Sequence, residues 1–223
     1  MAFVDWVFNK SDAEILTSTE IFTPIIPADS FGTGGSLRVD HFDGLGLFMN
    51  AYNNSYVGGI LKGRIRSIIQ PDVISGASTY LAGFTFMQNQ LDLTGGSGSF
   101  YGAFYIANNG GTTTRFTIRK YSVGLESALG GSSLLLTGSL GTFAPGTPTV
   151  MEIEWDASSG TQVDFILRAS TNDTNFDNLA VVSTVSDTVS PLVTSVGEGL
   201  ATANDVSSDM SWLVDNTSIF TTL

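Results

Sequence analysis

Cysteine is absent from the 223 residues, which excludes disulfides, thiolate metal sites and cysteine nucleophiles. Charge is scarce as well. Asp, Glu, Lys and Arg make up 13% of the chain, about half the usual ~25% share. Little charge is left to solvate a broad surface, so part of that surface is expected to be covered by partners. Basic residues are the scarcest, nine Lys and Arg against 21 Asp and Glu, for a net charge of −12. Only Lys62, Arg64 and Arg66 lie close together. A phosphate groove needs a basic stripe and an anionic membrane surface attracts cations, so neither nucleic acid nor a membrane is an expected partner. No run approaches the ~20 apolar residues of a membrane helix. The opening Met1-Ala2-Phe3-Val4-Asp5-Trp6 lacks a basic segment followed by an apolar run. It does not read as a secretory signal, and synthesis in a host cytoplasm is expected.

Helix signals are nearly missing too. Ser11 and Glu14 have capping-box spacing, which predicts one helical turn over Ser11-Asp12-Ala13-Glu14-Ile15-Leu16. Strand signals dominate instead, as short runs of Val, Ile, Thr and aromatics between Gly, Asn, Asp and Ser clusters. In Met151-Glu152-Ile153-Glu154-Trp155-Asp156 the apolar and acidic residues alternate, so period two puts three carboxylates on one face and an apolar row on the other. Ser158-Ser159-Gly160 turns the chain, and Val163, Phe165 and Leu167 alternate with Gln162, Asp164 and Arg168. The pair reads as a hairpin.

The same reasoning predicts strands over Ser36–Val39, Leu45–Ala51, Val57–Ile69, Tyr80–Gln88, Phe100–Ala107, Arg115–Tyr121, Leu134–Leu140, Leu179–Val185, Leu192–Leu200 and Met210–Phe220. Phe100-Tyr101-Gly102-Ala103-Phe104-Tyr105 is apolar on both faces, as a central strand or one beneath a second layer must be. Turn-length Gly clusters separate the strands, with no linker and no internal repeat. Strands at this spacing with no helices between them predict an all-β, two-sheet antiparallel β-sandwich. Residues 30–223 form the domain. Residues 1–29, with Phe22-Thr23-Pro24-Ile25-Ile26-Pro27, form an extended N-terminal arm or edge strand suited to pairing with another subunit.

Four stretches, taken in order, resemble the concanavalin A-like, laminin-G-like jelly-roll family. Leu81-Ala82-Gly83-Phe84-Thr85-Phe86 is similar to its central strand, and Phe100 to Tyr121 to the next hairpin. Phe143-Ala144-Pro145-Gly146-Thr147 leads into Val150–Trp155, Gly160 and Val163–Leu167. Trp212 to Phe220, through Asp215-Asn216, is similar to the closing strand. The resemblance covers roughly residues 30–220. It implies a jelly roll from a group that includes lectins, glycan-hydrolysing enzymes, adhesion modules and viral capsid or tail components, so function has to come from the site.

Glu152, Glu154 and Asp156 resemble the carboxylate strand of the glucanase branch, with two residue types exchanged. Alternate residues lie ~6.7 Å apart along a strand, whereas a retaining glycosidase places its carboxyls ~5–5.5 Å apart. A solvated outer face is the commoner use of such a row. His41, the sole histidine, sits in Val39-Asp40-His41-Phe42-Asp43. An adjacent Asp can orient an imidazole, but no Gly-x-Ser-x-Gly elbow supplies a nucleophile. Asp40, Asp43, Asp92, Asp156, Asp164, Asp173, Asp177, Asp205, Asp209 and Asp215 offer oxygen ligands, and calcium needs six to eight that converge. Asn172-Asp173-Thr174-Asn175-Phe176-Asp177 is the densest loop, and also a common kind of turn. Trp6, Tyr52 and Tyr56 could stack on sugars or fill a core or an interface.

No catalytic, cofactor or metal set emerges. The expected function is non-enzymatic: a virion structural protein, a bacteriophage capsid decoration (cement) or surface adhesion component acting through protein–protein contacts. Its partners would be copies of itself, a trimer on the resemblance to viral jelly rolls, and virion proteins such as the major capsid protein. The alternatives are a carbohydrate-binding module that takes a surface glycan, and a glycan-degrading enzyme using Glu152, Glu154 and Asp156.

Overall fold

The computed structural model describes residues 2–5, 14–15, 21–24, 37–41, 48–52, 61–74, 79–89, 98–108, 113–121, 132–137, 144–195, 197–204 and 210–221. Its strands are β1 (Ala2–Asp5), β2 (Glu14–Ile15), β3 (Ile21–Pro24), β4 (Leu37–His41), β5 (Phe48–Tyr52), β6 (Lys62–Ile74), β7 (Thr79–Gln88), β8 (Phe100–Asn108), β9 (Thr113–Tyr121), β10 (Ser132–Leu136), β11 (Thr149–Asp156), β12 (Val163–Thr171), β13 (Ala180–Asp187), β14 (Gly197–Asn204) and β15 (Met210–Thr221). Two antiparallel sheets result. The eight-stranded sheet runs β13-β12-β11-β6-β15-β4-β3, with β1 also on β15. The seven-stranded sheet runs β10-β9-β8-β7-β14-β5-β2. This is the two-sheet sandwich that the strand spacing predicts.

The core follows from period two. On β11, Met151, Ile153 and Trp155 are buried, and on β12 Val163, Phe165 and Leu167. The facing sheet contributes Phe84 and Phe86 of β7, Tyr101 and Tyr105 of β8, and Phe116 and Ile118 of β9. Aromatic pairs join the sheets: Phe86 stacks on Trp155 at 5.0 Å between ring centroids, Tyr101 meets Phe165 edge-on at 4.9 Å, and Tyr105 meets Trp212 at 90°. Such contacts add ~0.5–1.5 kcal/mol each beyond burial. Strand β8 lies between β7 and β9, and both its faces are buried, Tyr101 and Tyr105 inward, Phe100 and Phe104 outward. The apolar sequence of β8 thus fits the first of its two readings, a central strand.

Three expectations are corrected. Glu14 and Ile15 are not helical: they pair with Tyr52 and Ala51 of β5, where a sheet ladder replaces a turn too short to sustain itself. The strand predicted over Val57–Ile69 runs on to Ile74, through Pro71. Proline is tolerated there because the ladder with β11 ends at Ile69 and the register with β15 shifts beside Trp212, opposite Pro71. The strand predicted from Leu192 starts at Gly197, and the Leu192 N–H donates to the Tyr101 hydroxyl instead of to a ladder. Within the stretch read as an arm, β1, β2 and β3 pair with β15, β5 and β4 of their own chain.

Candidate functional site

The acidic row of β11 faces outward, as its alternation predicts. Its neighbours on that face come from β6 and β12: Glu152 lies opposite Arg66 and Arg168, Glu154 opposite Arg64, and Asp156 opposite Lys62. Arg168 Nη1 donates to Glu152 Oε1 at 2.8 Å and to Glu154 Oε2 at 2.9 Å. Arg64 Nε adds a contact of 3.5 Å to Glu152, and Lys62 Nζ donates to Asp156 Oδ2 at 2.7 Å. The Arg66 guanidinium lies over the Phe176 ring, 4.4 Å from its centroid. Glu152 is only 3% exposed. The hydrogen bond from Lys62, followed by those from Ser158, holds the Asp156 carboxyl down at about 2. A glycosidase acid has to hold its proton near neutral pH, which requires a shift in the opposite direction. Every carboxylate of the row is thus committed to a cation, in a cross-strand ladder that braces the sheet.

The acidic loop is satisfied from within. Asp173 accepts from Asn175 N at 2.9 Å, Ser170 Oγ at 2.8 Å and Asn178 Nδ2 at 2.9 Å. Asn175 Oδ1 accepts from Asp177 N at 2.9 Å and caps the 3-10 turn Phe176–Asn178. Donors thus occupy both carboxylate oxygens of Asp173 and the side-chain oxygen of Asn175. Asp164 is likewise bound by Gln162 and Ser186.

The remaining candidates are spread over several elements. His41 ends β4 opposite Met210, and Asp40 lies opposite Ser211 and Ile21. Tyr52 ends β5 opposite Glu14 and Gly199. Asp215 pairs with Ile68 on β15. Trp6, Tyr56, Asp43, Asp92, Asp205 and Asp209 lie outside the described residues.

The outer face of the seven-stranded sheet carries rings other than Trp6, Tyr52 and Tyr56. Phe100 stacks on Tyr121 at 4.5 Å, and Phe104 meets Tyr121 edge-on at 6.4 Å. All three are buried, and burial pushes the Tyr121 phenol up to about 12. Gly102 leaves room for the Phe104 ring, which a Cβ there would strike.

A second network also escaped the sequence. Asp187, 3% exposed, accepts from Tyr101 Oη at 2.6 Å and from Val189 N at 3.0 Å, and is paired with Lys120 at 2.8 Å. Tyr101 Oη accepts from Leu192 N at 2.9 Å. Burial alone would raise Asp187, but the hydrogen bonds from Lys120 and Tyr101 overcome it and hold the carboxyl below its ordinary range. Burial, then the bond to Asp187, drives the Tyr101 phenol far up. The five residues come from β8, β9 and the end of β13 with its following loop, so no local spacing could announce them.

This geometry defines a two-sheet antiparallel jelly-roll sandwich. Three solved structures share it over nearly the whole chain. One is the marine PL-14 alginate lyase from Aplysia kurodai, with a TM-score of 0.56 and 11% identity, covering 98% of this chain and 89% of the other. Another is the exoplasmic/lumenal domain of VIP36 in its Ca²⁺/Man3GlcNAc-bound form, at 0.54 and 9%, covering 99% and 87%. A third is the carbohydrate recognition domain of Emp46p in its potassium-bound form, at 0.55 and 12%, covering 95% and 89%. At these identities the likeness is one of fold. No family model matches the chain. No curated protein matches it either.

Proposed function

We propose that this chain is a non-enzymatic recognition module that binds a glycan. What carries the proposal is the fold likeness, over 95–99% of the chain, to a domain solved with Man3GlcNAc and to a carbohydrate recognition domain. The paired carboxylates of β11 support binding over catalysis, since Glu152, Glu154 and Asp156 each hold a cation at 3.5 Å or less. The buried rings Phe100, Phe104 and Tyr121 are not the stacking platform. The proposed setting is the surface of a tailed-phage particle, where an adhesion module made in the host cytoplasm meets cell-surface polysaccharide, and where sparse charge suits contacts with virion neighbours or further copies.

A glycan array followed by calorimetry tests binding. A specific saccharide, bound equally well by Glu152→Gln, supports the reading. Release of reducing ends or unsaturated products from β-glucan or alginate, abolished by Glu152→Gln, would replace it with an enzyme. No bound glycan, together with comigration of the protein with phage particles, would return the role to protein–protein contacts.

A further inference from the structure

The end of β13 and the loop after it fold around one ammonium group. Lys120 Nζ, from β9 in the opposite sheet, lies 2.8 Å from Asp187 Oδ2, 2.7 Å from the Val189 carbonyl and 2.6 Å from the Ser190 carbonyl. An ammonium has three donors and no acceptor, and here each donor has its own oxygen. Lys120 is 16% exposed. The loop is shaped toward that point. Ser190 takes φ 52°, a left-handed conformation that costs a non-glycine residue roughly 1 kcal/mol or more. The other carboxylate oxygen, Asp187 Oδ1, takes the Val189 N–H, which turns the chain back over the lysine.

Two backbone carbonyls and a carboxylate converging on one positive centre are the donor set of a cation site. We propose that Lys120 is a tethered cation, filling an oxygen cage whose chemistry would otherwise hold a free monovalent ion. The distances of 2.6–2.8 Å exceed the ~2.3–2.6 Å of calcium–oxygen contacts, so the cage is sized for an ammonium or potassium ion rather than for calcium. A lysine covalently attached to β9 is always present at its site. The crossover from the eight-stranded to the seven-stranded sheet is thereby fixed without dependence on ionic conditions.

The test is thermal unfolding of the native chain and of Lys120→Ala, each in potassium chloride, ammonium chloride and choline chloride at equal ionic strength. Choline is too large for the cage, so it reports screening alone. The native chain should melt at the same temperature in all three salts. Lys120→Ala should melt lower in choline and recover by roughly 3–5 °C in potassium or ammonium, as mass action on a reopened site requires. If Lys120→Ala melts with the native chain, or responds alike to all three cations, the cage is overturned. Should Lys120→Ala fail to fold in choline, refolding yield is read instead, with rescue by potassium expected and equal failure in every salt refuting it. Lys120→Arg, which keeps the charge but not the compact ammonium, should stay destabilised and gain nothing from potassium.

Discussion

Replacing Arg168 by methionine tests whether the outer face of the eight-stranded sheet is a bracing ladder. Arg168 is 23% exposed, and its Nη1 serves both Glu152, 3% exposed, and Glu154, 33% exposed. Methionine keeps most of the apolar stem and deletes the charge. A hydrogen bond to a charged group is worth ~1.5–3 kcal/mol, while an exposed ion pair gives ~0.2–1. Breaking a fully buried pair costs ~3–5 kcal/mol, but Arg64 remains 3.5 Å from Glu152 and holds the loss below that limit. The expected cost is ~2–3 kcal/mol, seen as a lower urea midpoint and a melting temperature reduced by roughly 5–10 °C. Glu152→Gln combined with Arg168→Met should show a coupling of at least ~1 kcal/mol in a double-mutant cycle. A change under ~0.5 kcal/mol for Arg168→Met, or no coupling to Glu152, would refute the ladder.

Glycine substitutions should rank by what the new methyl meets. In Gly83→Ala it strikes the backbone carbonyl of Ala103, and in Gly102→Ala it strikes the Phe104 ring, which can rotate; chemical denaturation should find Gly83→Ala clearly the less stable. Tyr101→Phe removes the donor to Asp187 and the acceptor for the Leu192 N–H, costing ~1–3 kcal/mol, and faster amide exchange at Leu192 should accompany the loss. The folded Asp156 and Asp187 carboxyls titrate below their ordinary range, Asp156 at about 2. Their stabilisation is therefore complete above the unfolded value of ~3.9 and lost as pH falls through the folded values. Urea midpoints should drop from pH ~4 toward ~2, less steeply in Asp187→Asn; a flat profile over that range would contradict the pairing.

The class of fold and the orientation of single strands were legible along the chain. Side-chain alternation is a property of one extended chain, so Met151, Ile153 and Trp155 could be assigned inward, and Glu152, Glu154 and Asp156 outward, without knowing any partner. The same logic marked β8 as covered on both faces. Helix formation is equally local, yet the capping-box pair around Glu14 was misleading, because pairing with β5 outweighs one marginal turn. What each outward residue meets depends on the folded sandwich. Register between strands far apart in sequence is set by the packing of the two sheets, and that register puts Lys62, Arg64 and Arg66 beside the acidic row and Arg168 across it. Read along the chain, three carboxylates could be a hydrolase centre. In the sheet they are neutralised, because the cations that pair with them come from strands whose order no local pattern encodes. The Lys120 cage has the same origin, a lysine from one sheet enclosed by a loop from the other, brought together only when the sandwich closes.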